Sequence, residues 1–229
     1  MPRGEDDLMK IIAVAFLMII GLGCQDDQLV AITDGKVYSQ LNVRYDKNSN
    51  KTAATAAFWK ESQSGQRLIF NGNAKILFED VAMDYRAGDY TYIKELDNFH
   101  SPAVFKITDV NNKVFTNTAT LNTIDFPLSQ KMDTIDSSKP LTIAWAGIPL
   151  EKLEIVTLRI GTVAAAQDTT GKTSVSLLSS HFTQLGSIKN TVVTITLERS
   201  KSPGLTNDLG GGGMMTSQYV APTKSVFLK

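Results

Sequence analysis

The sequence predicts an all-β chain built as two tandem antiparallel β-sandwiches, and three observations carry that prediction. Apolar residues recur mostly with period two, in short runs rich in β-branched and aromatic side chains. Turn-forming Asn, Asp, Ser and Gly punctuate these runs at close intervals. No amphipathic helix of ordinary length is legible between Gln28 and Lys229. Such a density of short strands suits a sandwich rather than βαβ units.

In the first half, Lys36–Tyr45 carries Val37, Leu41, Val43 and Tyr45 on one face, with Ser39 the exception. Asp46-Lys47-Asn48-Ser49-Asn50-Lys51 reads as a hairpin loop, after which Thr52–Trp59 returns as a strand. Arg67–Phe70 and Ala74–Glu79 flank Asn71-Gly72-Asn73, a short hairpin signal because Asn-Gly suits positive φ. Further strands are expected at Val81–Tyr85, Tyr90–Leu96, Ala103–Thr108 and Lys113–Ala119, with Asp109–Asn112 turning the last pair.

The second half repeats the texture at Ile124–Leu128, Pro140–Trp145, Leu153–Ile160, Thr173–Leu178, Thr191–Arg199, Met214–Val220 and Ser225–Leu228. A short helix or turn is expected around Ser180–Leu185. Leu150, Leu153, Val156 and Ile160 recur at helical spacing, but the β-branched run Ile155-Val156-Thr157 and the terminating Gly161 favour a strand. The boundary falls near Leu121–Thr123, giving sandwiches over 35–121 and 122–229. Each half has one Trp near the end of an early strand, Trp59 and Trp145, a parallel that hints at related folds.

Composition narrows the partners. Lys plus Arg number 23 and Asp plus Glu 23, so the chain has no concentrated basic charge to draw nucleic acid or anionic lipid. Cys24 is the only cysteine, so no intrachain disulfide can form and stability must come from burial.

Residues 1–23 read as a processing segment. Lys10 precedes the apolar core Ile11–Ile20, which is too short to cross a bilayer as a permanent helix, and small residues surround Cys24. Three acids in Met1–Leu8 oppose the positive start such segments need, so initiation is expected at Met9. Ile20-Gly21-Leu22-Gly23-Cys24 resembles the lipobox of type II bacterial lipoprotein signal peptides, with Gly23 in the small position and Gly21 where the family usually has Leu. The resemblance implies cleavage before Cys24, which would carry diacylglycerol and acyl chains and tether residues 24–34 to membrane lipid. It needs no other cofactor. Two or more acyl chains hold stably, at about 0.8 kcal/mol per buried methylene. Gln25 in place of Asp implies the outer membrane by the same resemblance, facing the periplasm or the surface; Gln25-Asp26-Asp27 resembles a short surface-export tag.

Ala87-Gly88-Asp89-Tyr90-Thr91-Tyr92 resembles the tyrosine corner of immunoglobulin-like domains, where the Tyr hydroxyl bonds upstream backbone; Tyr92 takes the place of the second disulfide Cys. An ordinary strand over Tyr90–Leu96 is the alternative. Tyr85, Tyr90, Tyr92, Phe99 and His100 form the densest aromatic stretch, and Tyr85, Tyr90 and Tyr92 are the candidate ligand-binding residues, a stacking platform for a glycan or protein partner. The bland reading makes alternate members core and the rest normal strand residues.

Asp46-x-Asn48-x-Asn50 begins like a calcium loop, but Lys51 and Ala57 stand where Gly and a bidentate Glu belong, so a hairpin tip is expected. Gly210–Gly213 has no following helix or Lys to make a phosphate loop and is expected to be a mobile loop or a bulge before an edge strand. With Val193–Leu197 and Gln218–Val220 it resembles a closing hairpin.

The catalytic inventory is poor. His100 and His181 are the only imidazoles, Cys24 is committed to lipid, and no Gly-x-Ser-x-Gly elbow accompanies Ser179, Ser180 and His181. The carboxylates Glu79, Asp80, Asp84 and Asp89 cluster in sequence, as solvated loop acids commonly do. No metal site and no catalytic residue is expected. The sequence therefore implies a non-enzymatic lipoprotein of the bacterial envelope with a binding or structural role. A carbohydrate-binding module on Tyr85–Tyr92, or a hydrolase, are the alternatives.

Overall fold

The computed structural model describes residues 28–29, 36–127, 132–184 and 190–229. The expected signal segment 1–23 and Cys24 lie outside these residues; from the expected tether 24–34 only Gln28–Leu29 are described, and they form strand β1. In chain order follow β2 (Val37–Asp46), β3 (Lys51–Lys60), β4 (Arg67–Phe70), β5 (Lys75–Phe78), β6 (Val81–Ala82), β7 (Asp84–Arg86), β8 (Thr91–Asp97), β9 (Ala103–Thr108) and β10 (Val114–Ala119). The second half contributes β11 (Thr134–Ile135), β12 (Leu141–Ala144), β13 (Glu154–Ile160), β14 (Val163–Gln167) and β15 (Ser174–Leu177). A helical turn, α1 (Ser179–Phe182), leads on to β16 (Thr191–Lys201), β17 (Gly210–Val220) and β18 (Lys224–Leu228).

The chain is all-β and sandwich-like. A 12-stranded sheet runs in the order β1-β4-β3-β2-β17-β16-β13-β14, with β8 and β7 continuing from β3 and with β18 and β11 continuing from β16. A four-stranded sheet, β10-β9-β5-β6, and the pair β12-β15 complete the described architecture. Strand β2 shows why period two works as a signal: Val37, Ser39, Leu41, Val43 and Tyr45 are all buried, alternating with half-buried positions. Its buried face joins Phe58, Phe78, Phe105 and Ile107 in a core that also includes Ile124, Leu158, Leu197 and Leu228.

The junction between β2 and β17 bridges the boundary at 121/122. These strands run parallel, from Gly210 opposite Val37 to Val220 opposite Asp46. Between Gly210 and Gly213 three residues of β17 span two of β2, a bulge. Glycine is needed there because a Cβ on Gly211 would lie 2.5 Å from the Val37 carbonyl carbon, and one on Gly213 would lie 2.2 Å from the Ser39 oxygen. The glycine run is thus a bulge, as one of its two readings had it. Its strand is not an edge, since β17 lies between β2 and β16, pairing with β16 from Glu198–Val220 to Lys201–Ser217.

Several local expectations are corrected. The turn at Asn71-Gly72 forms, with Gly72 at φ 60° and the Ala74 N–H donating to Asn71 O at 3.1 Å. Its flanking strands do not pair: β4 joins β3 and β5 joins β9, so the turn carries the chain from one sheet to the other. The single strand expected over Val81–Tyr85 is split at buried Met83, with β6 in the small sheet and β7 in the large one. Of the strand expected over Ile124–Leu128, the described residues 124–127 form no strand, and Asp125 makes an isolated bridge to Ala146. β14 was not foreseen, because its Ala164-Ala165-Ala166 run carries little strand propensity. Leu153–Ile160 is a strand as expected, and α1 falls where a helical turn was foreseen. The two tryptophans part company: Trp145 is core, while Trp59 lies at the surface layer against Tyr38 and beneath the Arg67 guanidinium at 4.2 Å.

One buried ion pair ties the segment after the boundary to the sheet. Arg199 and Glu154, with side chains 1% and 2% exposed, pair directly. Arg199 also donates to Ile148 O and Pro149 O at 2.8 and 2.9 Å, while Glu154 accepts from the Glu151 N–H and from Asn122 Nδ2, both at 2.7 Å. Burial pushes the Glu154 carboxyl up, but these donors outweigh it and hold its pKa below the ordinary value.

Candidate functional site

The predicted tyrosines divide between core and surface. Tyr92 is buried against Phe58 and Phe70, and its hydroxyl accepts from the Phe70 N–H at 2.7 Å. The Tyr92 hydroxyl thus bonds upstream backbone, and its ring is not open to a ligand. Burial pushes its phenol up. Tyr85 stacks on Tyr92 at 5.3 Å and is 39% exposed, and Tyr90 sits half-buried in the turn at φ 54°. A ligand face on this stretch would have Tyr85 and Tyr90, without the third ring.

The acids and imidazoles of the sequence inventory are individually engaged. Glu79 accepts from the Val104 N–H at 2.6 Å, Asp80 pairs with Lys106 at 2.6 Å and Asp84 with Lys94 at 3.3 Å. Asp89 accepts from Arg86 Nε at 2.9 Å, and this guanidinium holds its carboxyl well below the usual range. His181 Nδ1 accepts from the Leu178 N–H at 3.0 Å, and His100 Nε2 lies 3.0 Å from Asp97 O. The Asp46 turn is a hairpin tip, in which Asp46 accepts from the Asn48 N–H at 2.9 Å and Asn50 takes φ 55°. Among the described residues no group of three or more His, Cys, Asp or Glu is placed to hold a metal, and no helix is long and apolar enough to cross a membrane.

A cleft of about 350 Å³ lies at the far end of the β2–β17 pair, lined by Lys47, Thr123, Asp125, Gly147 and Tyr219 among others. Four chain segments build it. Tyr219 and Tyr45 stand opposite each other in register, and the β2–β3 turn brings Lys47 over them. That turn is stitched to the end of β17: the Lys47 N–H donates to Val220 O at 3.1 Å, and Asn48 Oδ1 accepts from the Thr223 N–H at 2.8 Å. Asp125 is fixed by its two-way bridge to Ala146, at 3.0 and 2.9 Å. Gly147, at φ 137°, forms the wall where a Cβ would lie 2.8 Å from Thr123 O.

Across the cleft mouth Lys47 Nζ meets Asp125 Oδ2 at 2.8 Å, both side chains about two-fifths exposed. The Asp125 hydrogen bond raises the Lys47 pKa, so the ammonium stays charged. Burial raises the Tyr219 phenol, and Lys47 pulls it back. Phe99, 38% exposed, packs on Tyr45 at 4.9 Å and edge-on to Tyr219 at 5.6 Å. The cleft itself thus presents a donor and an acceptor that neutralise each other, with the aromatic cluster packed behind its Tyr219 wall. Such a site can hold a small polar ligand. None of the lining residues falls within the aromatic stretch noted in the sequence. Tyr45, Lys47, Asp125 and Tyr219 converge only through the parallel β2–β17 pairing.

No family model and no curated protein matches the chain. Among solved structures it is similar to a 1.5-MDa bacterial ice-binding adhesin, at 10% identity and TM-score 0.30 over 84% of this chain and 65% of that one. A Ca2+-stabilized adhesin that helps an Antarctic bacterium reach out and bind ice gives 11% identity and TM-score 0.31 over 84% of this chain and 49% of that one. SGBP-B of the Bacteroides ovatus mixed-linkage glucan utilization locus, solved with a mixed-linkage heptasaccharide, gives 11% and 0.26 over 80% and 53%. The chain thus spans 65%, 49% and 53% of the lengths of these three proteins.

Proposed function

We propose that the chain is a non-enzymatic, lipid-anchored binding protein of the bacterial envelope, held in the outer membrane through acyl chains on Cys24 and presenting the Lys47–Tyr219 cleft away from the lipid. The observation that carries this reading is the direction of the strands. β1 runs parallel to β4, which is antiparallel to β3, which is antiparallel to β2. The chain therefore enters β1 from the pole of the 61–66 loop, where Val37 and Lys60 pair. The cleft lies at the other pole, past Tyr45. From Val37 to Tyr45 the strand rises roughly 26 Å at about 3.3 Å per residue.

Cys24 is four residues before Gln28, a reach of at most about 14 Å. A short tether at one pole and a ligand-sized cleft at the other suit a protein that binds something beyond the membrane. Metabolic labelling with radioactive palmitate tests the anchor: the wild-type chain should be labelled in a bacterial host and Cys24→Ala should not. An unlabelled wild type overturns the reading.

A further inference from the structure

We infer that the pole of the large sheet nearest Cys24, carrying Tyr38, Trp59 and Arg67, is a membrane-seating surface that rests in the headgroup layer of zwitterionic phospholipids. This rests on the lipid anchor proposed above and adds a second, non-covalent hold on the same membrane.

Three strands build the surface. Tyr38 of β2 stands opposite Trp59 of β3, and Trp59 opposite Arg67 of β4, so one rung carries all three side chains on one face. Tyr38 meets the indole edge-on at 5.9 Å. The Arg67 guanidinium lies 4.2 Å from the indole centroid and donates to Asp89 O at 2.6 Å. All three side chains are half-buried, so each is held on the rung while part of it faces solvent. Indole and phenol, with an apolar body and a polar edge, settle at the level of lipid headgroups. A guanidinium beside them has five donors, enough to keep Asp89 O and still meet a phosphate oxygen.

The tether sets how far this rung stands from the lipid. Gln28 is level with Ile69, two residues along β4 from Arg67. The four residues from Cys24 to Gln28 span at most about 14 Å, and about 7 Å of that brings the chain level with Arg67. A diacylglycerol thioether would set Cys24 at the boundary of the acyl core, and the headgroup layer above that boundary is about 5–8 Å deep. A rung no more than about 7 Å along the strand direction from Cys24 meets that layer.

The charges select the lipid. Lys36, Lys60 and Arg67 surround the rung, Glu61 stands in the adjoining loop, and Asp26, Asp27 and Asp34 lie beside them in sequence. With both signs present, the surface suits headgroups that carry phosphate and ammonium together, and it gains little from a net anionic membrane.

The test is tryptophan fluorescence of the full lipidated chain in phosphatidylcholine vesicles containing lipid with a headgroup nitroxide. The other tryptophan, Trp145, is buried and adjoins Ala146 in the cleft at the opposite pole, so Trp59→Phe should abolish the quenching seen in the wild type. A flexible insert of about twenty Gly and Ser residues after Asp27, spanning roughly 25 Å, frees the sheet to leave the surface. Quenching of Trp59 should persist in that chain. Adding Tyr38→Ser and Arg67→Gln to it should lower the quenching by about half or more. Replacing about a third of the lipid by phosphatidylglycerol should change it by less than that. Quenching lost with the insert would mean that the tether alone held the rung, and overturns the seat. Quenching that survives Trp59→Phe, or that requires phosphatidylglycerol, overturns it too. A chain that takes up no palmitate overturns anchor and seat together, whereas a palmitate-labelled chain with unquenched Trp59 overturns the seat alone.

Discussion

Tyr45 of β2 and Tyr219 of β17 stand opposite each other across a parallel strand pair, their ring centroids 5.3 Å apart and tilted by 43°. The contact joins residues from the two ends of the chain, packs behind Tyr219 in the cleft wall and supports Phe99, the one exposed ring of the cluster. Packing and the candidate site therefore depend on the same pair.

Removing either role separates them. Tyr219 is buried, so Tyr219→Ala should lose about 3–5 kcal/mol of stability, the usual range for truncating a large buried aromatic. Phe99→Leu, at a position 38% exposed, should lose no more than about 1 kcal/mol. Urea titrations followed by near-ultraviolet circular dichroism would compare the two midpoints; equal losses would mean that Phe99 is also a core residue.

The glycine bulge makes an ordering test. Gly212 has φ 77° and open space around it, so Gly212→Ala should cost about 1–2 kcal/mol through backbone strain alone. Gly213→Ala adds a collision with Ser39 O in the neighbouring strand, where backbone rather than a flexible side chain must give way. Its cost should be larger, by about 1–3 kcal/mol. Unfolding midpoints should fall from wild type through Gly212→Ala to Gly213→Ala.

Glu154 sets a pH dependence. Its folded pKa lies below its ordinary 4.5, so the native state binds its proton less readily than the unfolded state. The stability it contributes is complete above its unfolded pKa and is lost as pH falls through the lower, folded value. Glu154→Gln should remove that segment of the stability–pH profile. At pH 7 it should also cost about 3–5 kcal/mol, because Arg199 is left buried without its counter-charge. Denaturant titrations from neutral to acid pH on both proteins would show whether the curves converge as the acid limb is crossed.

Asn117 organises the approach to the bulge. It is fully buried; Oδ1 accepts from the Thr206 and Asn207 N–H groups at 3.0 Å each, and Nδ2 donates to Asn207 O at 2.8 Å. Asn117→Val should leave two backbone donors unpaired, at about 1–3 kcal/mol each. Hydrogen exchange at Thr206 and Asn207 should quicken more than exchange in β9.

What was legible in the sequence was local. The Asp46–Lys51 and Asp109–Asn112 turns both close antiparallel hairpins, because their Asn and Asp side chains hydrogen-bond nearby backbone and tolerate positive φ at Asn50 and Asn112. Asn71-Gly72 turned as foreseen, but a turn does not say whether its strands pair or part to different sheets. The β2–β17 partnership left no local trace, since parallel strands share no turn. Its one sign was Gly210–Gly213, whose close approach to Val37 and Ser39 needs the partner strand to be seen. The cleft was hidden for the same reason: Tyr45, Lys47, Asp125 and Tyr219 are individually ordinary residues.

The proposed arrangement puts the lipid anchor and the cleft at opposite poles of strand β2. Ser49, in the β2–β3 turn beside the cleft, and Ser64, in the loop at the other pole, are both exposed. If Cys24 is lipidated as proposed, Ser49→Cys and Ser64→Cys each carry one free thiol for a fluorophore. In proteoliposomes with quencher-labelled headgroups, the Ser64 probe should be strongly quenched and the Ser49 probe, roughly 30 Å further along β2, should not. Equal quenching of the two, or stronger quenching at Ser49, would overturn that arrangement.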